Sequence, residues 1–134
     1  MAQALAALHD RLVPAEELFF TWLLRVFGAA TLAGASLTRT CMRDTDLTGT
    51  FAGGADLRGA ILNGATIRAA NLSGAILRGT SLIDADLSLT DLVGADLTGA
   101  QMDGVSLDGI RHDETTAWPE GFQPPSSGNL DDHD

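Results

Sequence analysis

The segment from Ala30-Thr31-Leu32-Ala33-Gly34 and Ala35-Ser36-Leu37-Thr38-Arg39 through to Val105-Ser106-Leu107-Asp108-Gly109 is sixteen consecutive five-residue units. Let i be the central residue of each unit. Twelve of the sixteen i residues are Leu, and the others are Met42, Met102, Ile67 and Ala52. Position i−2 is Ala in ten units, Thr in five and Val105 in the last, and position i+2 is Gly in eleven. Positions i−1 and i+1 are mostly polar or charged.

A five-residue period fits neither regular element. On a helix the leucines would advance about 140° per unit and spread around the cylinder. On a straight strand an odd period would send them to alternate faces. One inward set is possible only if the chain turns a corner between i and the next i−2. Glycine at i+2 is the residue that turns such corners without Cβ strain. The chain therefore coils, with i and i−2 inside and the rest outside. Tandem units that stack a shared interior make a solenoid.

Four units, Ala55-Asp56-Leu57-Arg58-Gly59, Ala70-Asn71-Leu72-Ser73-Gly74, Ala85-Asp86-Leu87-Ser88-Leu89 and Ala95-Asp96-Leu97-Thr98-Gly99, have the form A-(D/N)-L-x-x. The sequence thereby resembles the pentapeptide-repeat family over 80 of its 134 residues. The resemblance implies an all-β solenoid, a right-handed quadrilateral β-helix with one coil per 20 residues. That makes about four coils: 30–49, 50–69, 70–89 and 90–109. Glycine at Gly34, Gly54, Gly74 and Gly94, and Arg58 and Arg78 one coil apart, agree with that period. Four inward columns follow, 32/52/72/92, 37/57/77/97, 42/62/82/102 and 47/67/87/107. The core ladder is Leu32, Leu37, Met42, Leu47, Leu57, Leu62, Ile67, Leu72, Leu77, Leu82, Leu87, Leu92, Leu97, Met102 and Leu107. The irregular unit is Thr50-Phe51-Ala52-Gly53-Gly54. Either Phe51 lies outside over a thin part of the core, or the register slips and Phe51 turns in.

The flanks read as caps. Residues 1–29 carry Leu5, Leu8 and Leu12 at helical spacing, then Pro14, Glu16 and Glu17 suited to a second helix start. The expectation is an N-terminal α-helical cap that plugs the first coil through Phe19, Trp22 and Leu23. After Gly109 the pattern decays, although Ile110 and His112 hold the i−2 and i positions of a further unit. Residues 110–123 end in Thr116-Ala117-Trp118-Pro119-Glu120-Gly121-Phe122, which resembles the T-x-W-P-x-G-F close of many bacterial pentapeptide-repeat chains. Trp118 and Phe122 can cover the last ring of leucines as a C-terminal cap. Residues 124–134, rich in Pro, Ser, Gly and Asp, read as a disordered acidic tail.

No arrangement of residues suggests chemistry. His9, His112 and His133 are scattered, and no metal-ligand spacing, phosphate loop or nucleophile motif is present. No catalytic, metal or cofactor site is expected. Cys41, at an i−1 position, reads as an exposed and inert thiol. The apolar run Leu18–Ala30 is interrupted by Thr21 and Arg25 and is too short to span a membrane. The start lacks a signal peptide's basic region, and one cysteine makes no internal disulfide, so a cytoplasmic location is expected.

The formal charge of −10 is unevenly spread. Residues 30–89 balance five Arg against five Asp, whereas 90–109 carry four Asp and no Arg. Asp91, Asp96, Asp103 and Asp108 occupy successive units, one for each face of coil four. Such a surface disfavours nucleic acid. Two function classes remain. The first is a non-catalytic protein-interaction or scaffold module with an unknown protein partner. The second, which the family resemblance implies together with the acidity, is a DNA mimic that binds DNA gyrase or topoisomerase. Neutral coils, a short rod and no evident dimerisation helix weigh against the second. The sequence leaves the oligomeric state open. Among outward positions, Ile61, Ile76 and Ile83 could form an apolar strip across coils two and three, a possible interface.

Overall fold

A computed structural model of the 134-residue chain describes residues 31–127. The expected helical cap, with Phe19, Trp22 and Leu23, lies outside the described residues. So does the tail beyond Ser127.

Parallel bridges join residues 20 apart on each of four faces. On the first face Thr31 pairs with Phe51, Phe51 with Asn71, and Asn71 with Asp91. The second, third and fourth faces repeat this through Ser36–Asp56–Ile76–Asp96, Cys41–Ile61–Ser81–Gln101 and Asp46–Thr66–Asp86–Ser106. Every face is so short that a strand amounts to one bridge before the chain turns.

Three kinds of backbone bond build the stack. The i and i+2 N–H groups donate to the coil above, as in Leu57 N–H to Ile76 O at 2.7 Å and Gly59 N–H to Arg78 O at 3.0 Å. The i−1 N–H donates to the coil below, as in Ile76 N–H to Ala55 O at 2.9 Å. The i carbonyl closes the corner by accepting the next i−2 N–H, as in Ala60 N–H to Leu57 O at 3.0 Å. The third residue of that turn must have φ above zero, the requirement of a type II turn. All sixteen corners meet it, eleven with Gly and five with Arg39, Asp44, Ala69, Asp84 and Leu89 at φ of 57–63°.

One N–H, that of i+1, has no place in this pattern. Where i−1 is Asp or Asn, its side-chain oxygen takes it: Ser73 N–H donates to Asn71 Oδ1 at 2.9 Å, and Ser88, Val93 and Thr98 N–H each donate at 3.0 Å to Asp86, Asp91 and Asp96 Oδ1. This is why the repeat prefers Asp or Asn there. Either one closes a local side-chain turn over an otherwise unpaired donor.

The interior is one column of i and i−2 side chains. Fourteen of the fifteen ladder residues are buried, and Leu107, in the last coil, is half-buried. Threonine is tolerated at i−2 because its hydroxyl finds the second lone pair of an i carbonyl. Thr80 Oγ1 donates to Leu57 O at 2.8 Å and Thr116 Oγ1 to Leu92 O at 2.9 Å. Ala52 is buried and Phe51 is 58% exposed, so the register does not slip. Ala52 borders an axial cavity of about 20 Å³, lined by the rings of coils one and two and by Ala70 and Leu72 of coil three.

The repeat does not stop at Gly109. Ile110 is fully buried, and Arg111 pairs with Asp91 exactly one coil later. One additional residue then enters, so the next bridge, Asp96 to Ala117, spans 21 residues. A half coil thus covers the first and second faces of coil four. It ends in a ring stack: His112 meets Trp118 edge-on at 5.4 Å, and Trp118 stacks on Phe122 at 5.4 Å. Trp118 and Phe122 pack against the core together with Val105 and Leu107. Pro124 to Ser127, read from sequence as the start of a free tail, lie against this lid. The His112 N–H donates to Ser127 Oγ at 3.3 Å, and its Nε2 is 2.6 Å from Pro125 O.

Candidate interaction surfaces

The outward side chains form two rows on each face, the i−1 row and the i+1 row. The stack brings i+1 of one coil beside i−1 of the next, 18 residues on. That spacing creates ion pairs: Arg68 with Asp86 at 3.4 Å on the fourth face and Arg78 with Asp96 at 3.2 Å on the second. Arg58 pairs within its own unit with Asp56 at 2.7 Å, and Arg111 reaches down to Asp91 at 3.5 Å. These pairs are largely exposed, so each contributes at most about 1 kcal/mol. Their larger effect is to set where charge remains.

Three of these carboxylates, Asp56, Asp86 and Asp96, are held below the ordinary Asp range. Asp56 is lowered chiefly by the hydrogen bond from Arg58. Asp86 and Asp96 are lowered first by the hydroxyls of Ser88 and Thr98, then by the backbone N–H of the same residues. Asp113 is lowered chiefly by the Thr115 hydroxyl.

By register the four Asp of coil four do fall one to a face, but they are not equivalent. Asp91 and Asp96 are neutralised by Arg111 and Arg78, while Asp103 and Asp108 are exposed and form no ion pair or side-chain hydrogen bond among the described residues. Asp84 joins them. Its Oδ1 stands where a Cβ at Gly104 would be, and it too has no side-chain partner among the described residues. The uncompensated acid of the stack's end therefore lies on the adjoining third and fourth faces. The signal was legible in the numbering, since Asp91 plus 20 is Arg111 and Arg78 plus 18 is Asp96.

The three candidate interface residues are half-buried. Ile61 lies between Cys41 and Ser81 on the third face, Ile76 between Asp56 and Asp96 on the second, and Ile83 in the outer row of the third. Among the described residues, the large apolar side chains that are exposed are Phe51, at 58%, and Leu89, at 56%. Leu89 occupies a left-handed corner (φ 63°) and leans over Gly109. Cys41, expected to be exposed, is half-buried.

A four-cornered stack with a leucine interior and outward rows of tethered polar side chains is a β-helical solenoid. The chain belongs to the pentapeptide-repeat family, whose model (pentapeptide repeats) matches eight copies over residues 26–49, 40–79 and 70–109. Comparison with curated proteins gives no match. Among solved structures it is similar to alr5209, a pentapeptide repeat protein from Nostoc Pcc 7120, at 31% identity and a TM-score of 0.74, covering 79% of this chain and 88% of that one. It is also similar to a pentapeptide repeat protein from the Arabidopsis thaliana thylakoid lumen, at 28% identity and a TM-score of 0.49, covering 66% and 68%. A third is QnrB1, a plasmid-mediated fluoroquinolone resistance protein, at 20% identity and a TM-score of 0.28, covering 64% and 59%.

Proposed function

We propose that this chain is a non-catalytic protein-interaction module acting in the cytoplasm. The supporting observation is how its residues are used. The interior is packed, with an axial cavity of about 20 Å³ that is far too small for a substrate. Among the described residues the polar side chains are spread in rows along the faces, many of them tethered to local backbone or to neighbouring coils, and do not converge on a point. Solenoids of this kind act through extended surfaces. The test is to purify the tagged chain from its native host and measure complex mass by light scattering. The reading expects a defined stoichiometric complex that substitutions on one face abolish and those on the opposite face leave intact. A chain that is recovered alone, with every face variant behaving alike, would count against it.

The gyrase-binding DNA mimic remains the second reading, favoured by the net charge of −10. The arginine pairing of Asp56, Asp86, Asp91 and Asp96 works against it, because a DNA-like rod needs unbroken negative rows. Inhibition of supercoiling by purified gyrase at micromolar chain would promote it.

A further inference from the structure

On its third and fourth faces, the upper rim of coil four is an unpaired sheet edge. One coil below, the third face is fully bonded: Leu82 N–H to Gln101 O at 2.9 Å, Asp84 N–H to Asp103 O at 2.8 Å, and Gln101 N–H to Thr80 O at 2.9 Å. The fourth face matches it, with Leu87 N–H to Ser106 O at 2.9 Å, Leu89 N–H to Asp108 O at 2.8 Å, and Ser106 N–H to Ala85 O at 3.0 Å. The equivalent groups of coil four are the N–H of Met102, Gly104, Leu107 and Gly109 and the carbonyls of Ala100 and Val105. None of these six has a hydrogen-bond partner among the described residues. The half coil after Gly109 stops short of them. A row of free donors and acceptors is a template for another strand.

The chain itself shows what fits such a rim. On the first face Arg111 pairs with coil four in both directions, its N–H donating to Thr90 O at 3.0 Å and its carbonyl accepting from Leu92 N–H at 2.8 Å. Its guanidinium then reaches Asp91. The open faces offer the same combination, with Asp103 and Asp108 beside the edge and Asp84 at the corner between them, all three without ion pairs among the described residues. Charge decides between occupants. The chain's own residues 128–134 carry Asp131, Asp132 and Asp134, and a second copy set with its C-terminal end against this one would bring these same acids together. Like charges so opposed are costly.

We propose that the third and fourth faces of coil four bind an extended, arginine- or lysine-bearing segment of a partner protein, which adds the missing half of the fifth coil. The segment alternates basic residues over Asp103 and Asp108 with apolar ones that cover the half-buried Val105 and Leu107. This rests on the interaction-module reading and names the partner's chemistry.

The probe is a synthetic peptide with two copies of Ala-Arg-Leu-Arg-Gly, labelled for fluorescence anisotropy and mixed with the full chain. The expected result is saturable binding that weakens as salt is raised. It should be weakened at least about tenfold by Asp103→Asn with Asp108→Asn, and similarly by N-methylating the two peptide amides that face Ala100 O and Val105 O. A Glu-for-Arg peptide should not bind. No binding of the arginine peptide at low salt, equal binding of the glutamate peptide, or indifference to both changes would overturn the proposal. So would a dimer of the chain alone that seals the rim. If a stoichiometric host complex persists unchanged in the Asp103→Asn, Asp108→Asn chain, the rim proposal fails while the module reading stands. Absence of any host complex strikes the module reading and leaves the peptide result to judge the rim.

Discussion

Leu77 is fully buried in the middle of the ladder, and replacing it with Ala removes three carbons from the stack. At about 0.8 kcal/mol per buried carbon, the transfer loss alone is about 2.4 kcal/mol. The cost of the hole depends on how far neighbouring rings close in, and the chain contains its own reference for that. Ala52 stands where the ladder elsewhere has Leu, Met or Ile, and the cavity beside it is about 20 Å³. A hole of that size adds about 0.5 kcal/mol at ~24 cal/mol per Å³. Leu77→Ala should therefore destabilise by about 3 kcal/mol, and nearer 5 if the rings around coil three cannot relax. Ser73→Ala is the control. It removes an outward hydroxyl bonded at 2.6 Å to Asn71 Oδ1 and leaves the backbone bond to the same oxygen intact. Its cost should stay within about 0.5 kcal/mol. Urea denaturation followed by far-UV circular dichroism reads both. Similar losses for the two variants, or a loss under 1 kcal/mol for Leu77→Ala, would refute the inward assignment of the i column.

Gly79 has φ +67° with open space where a Cβ would go, whereas at Gly64 (φ +70°) that space holds the Asp44 carboxylate. Gly79→Ala should cost about 1 kcal/mol from the left-handed backbone alone, and Gly64→Ala more, the excess disappearing when Asp44 is also made Ala. Asp86→Ala leaves the Ser88 N–H without its acceptor and should cost about 1 kcal/mol, while Asp86→Asn should largely preserve the turn, as Asn71 does naturally. Because Asp86, Asp96 and Asp56 have folded pKa values below their unfolded ones, their stabilisation is present above about pH 4 and is lost as pH falls through the lowered values. Denaturant midpoints should therefore drop on acidification below about pH 4, less steeply in Asp86→Asn. Truncation after Gly109 uncovers Leu92 and Leu97 and frees the edges they share with Arg111 and Ala117, so light scattering should show oligomers where the full chain shows one species.

The interior was legible because sixteen units follow one rule with few departures: small residue, spacer, leucine, spacer, corner. The structure decided Phe51: a one-residue slip would have had to be absorbed by strictly spaced neighbours, and the regular register is kept with Ala52 buried and Phe51 outside. The chemistry of the Asp or Asn at i−1 was less visible. Its task is to hold the i+1 N–H, a donor that becomes orphaned only once the coils are stacked. The five corners without glycine show that the corner geometry is imposed by stacking and merely eased by glycine. The ends were hardest to read. A single additional residue between His112 and Thr116 hides the half coil from any five-residue count, although Ile110 and Arg111 fall exactly where coil five requires. Once that half coil is in place, two of the four terminal Asp are neutralised and two are not. A reading of charge by unit cannot make that distinction.

Hydrogen exchange at single amides tests this account of the terminal rim most directly. In the free chain at neutral pH, the N–H groups of Leu92 and Leu97, bonded to Arg111 and Ala117, should be protected along with those of Leu82, Asp84, Leu87 and Leu89 in the coil below. Those of Met102, Gly104, Leu107 and Gly109 should exchange at rates near those of an unstructured chain, and should slow on addition of the arginine peptide. Protection of all four in the free chain, or exchange as fast at Leu92 and Leu97 as at Met102 and Leu107, would contradict it.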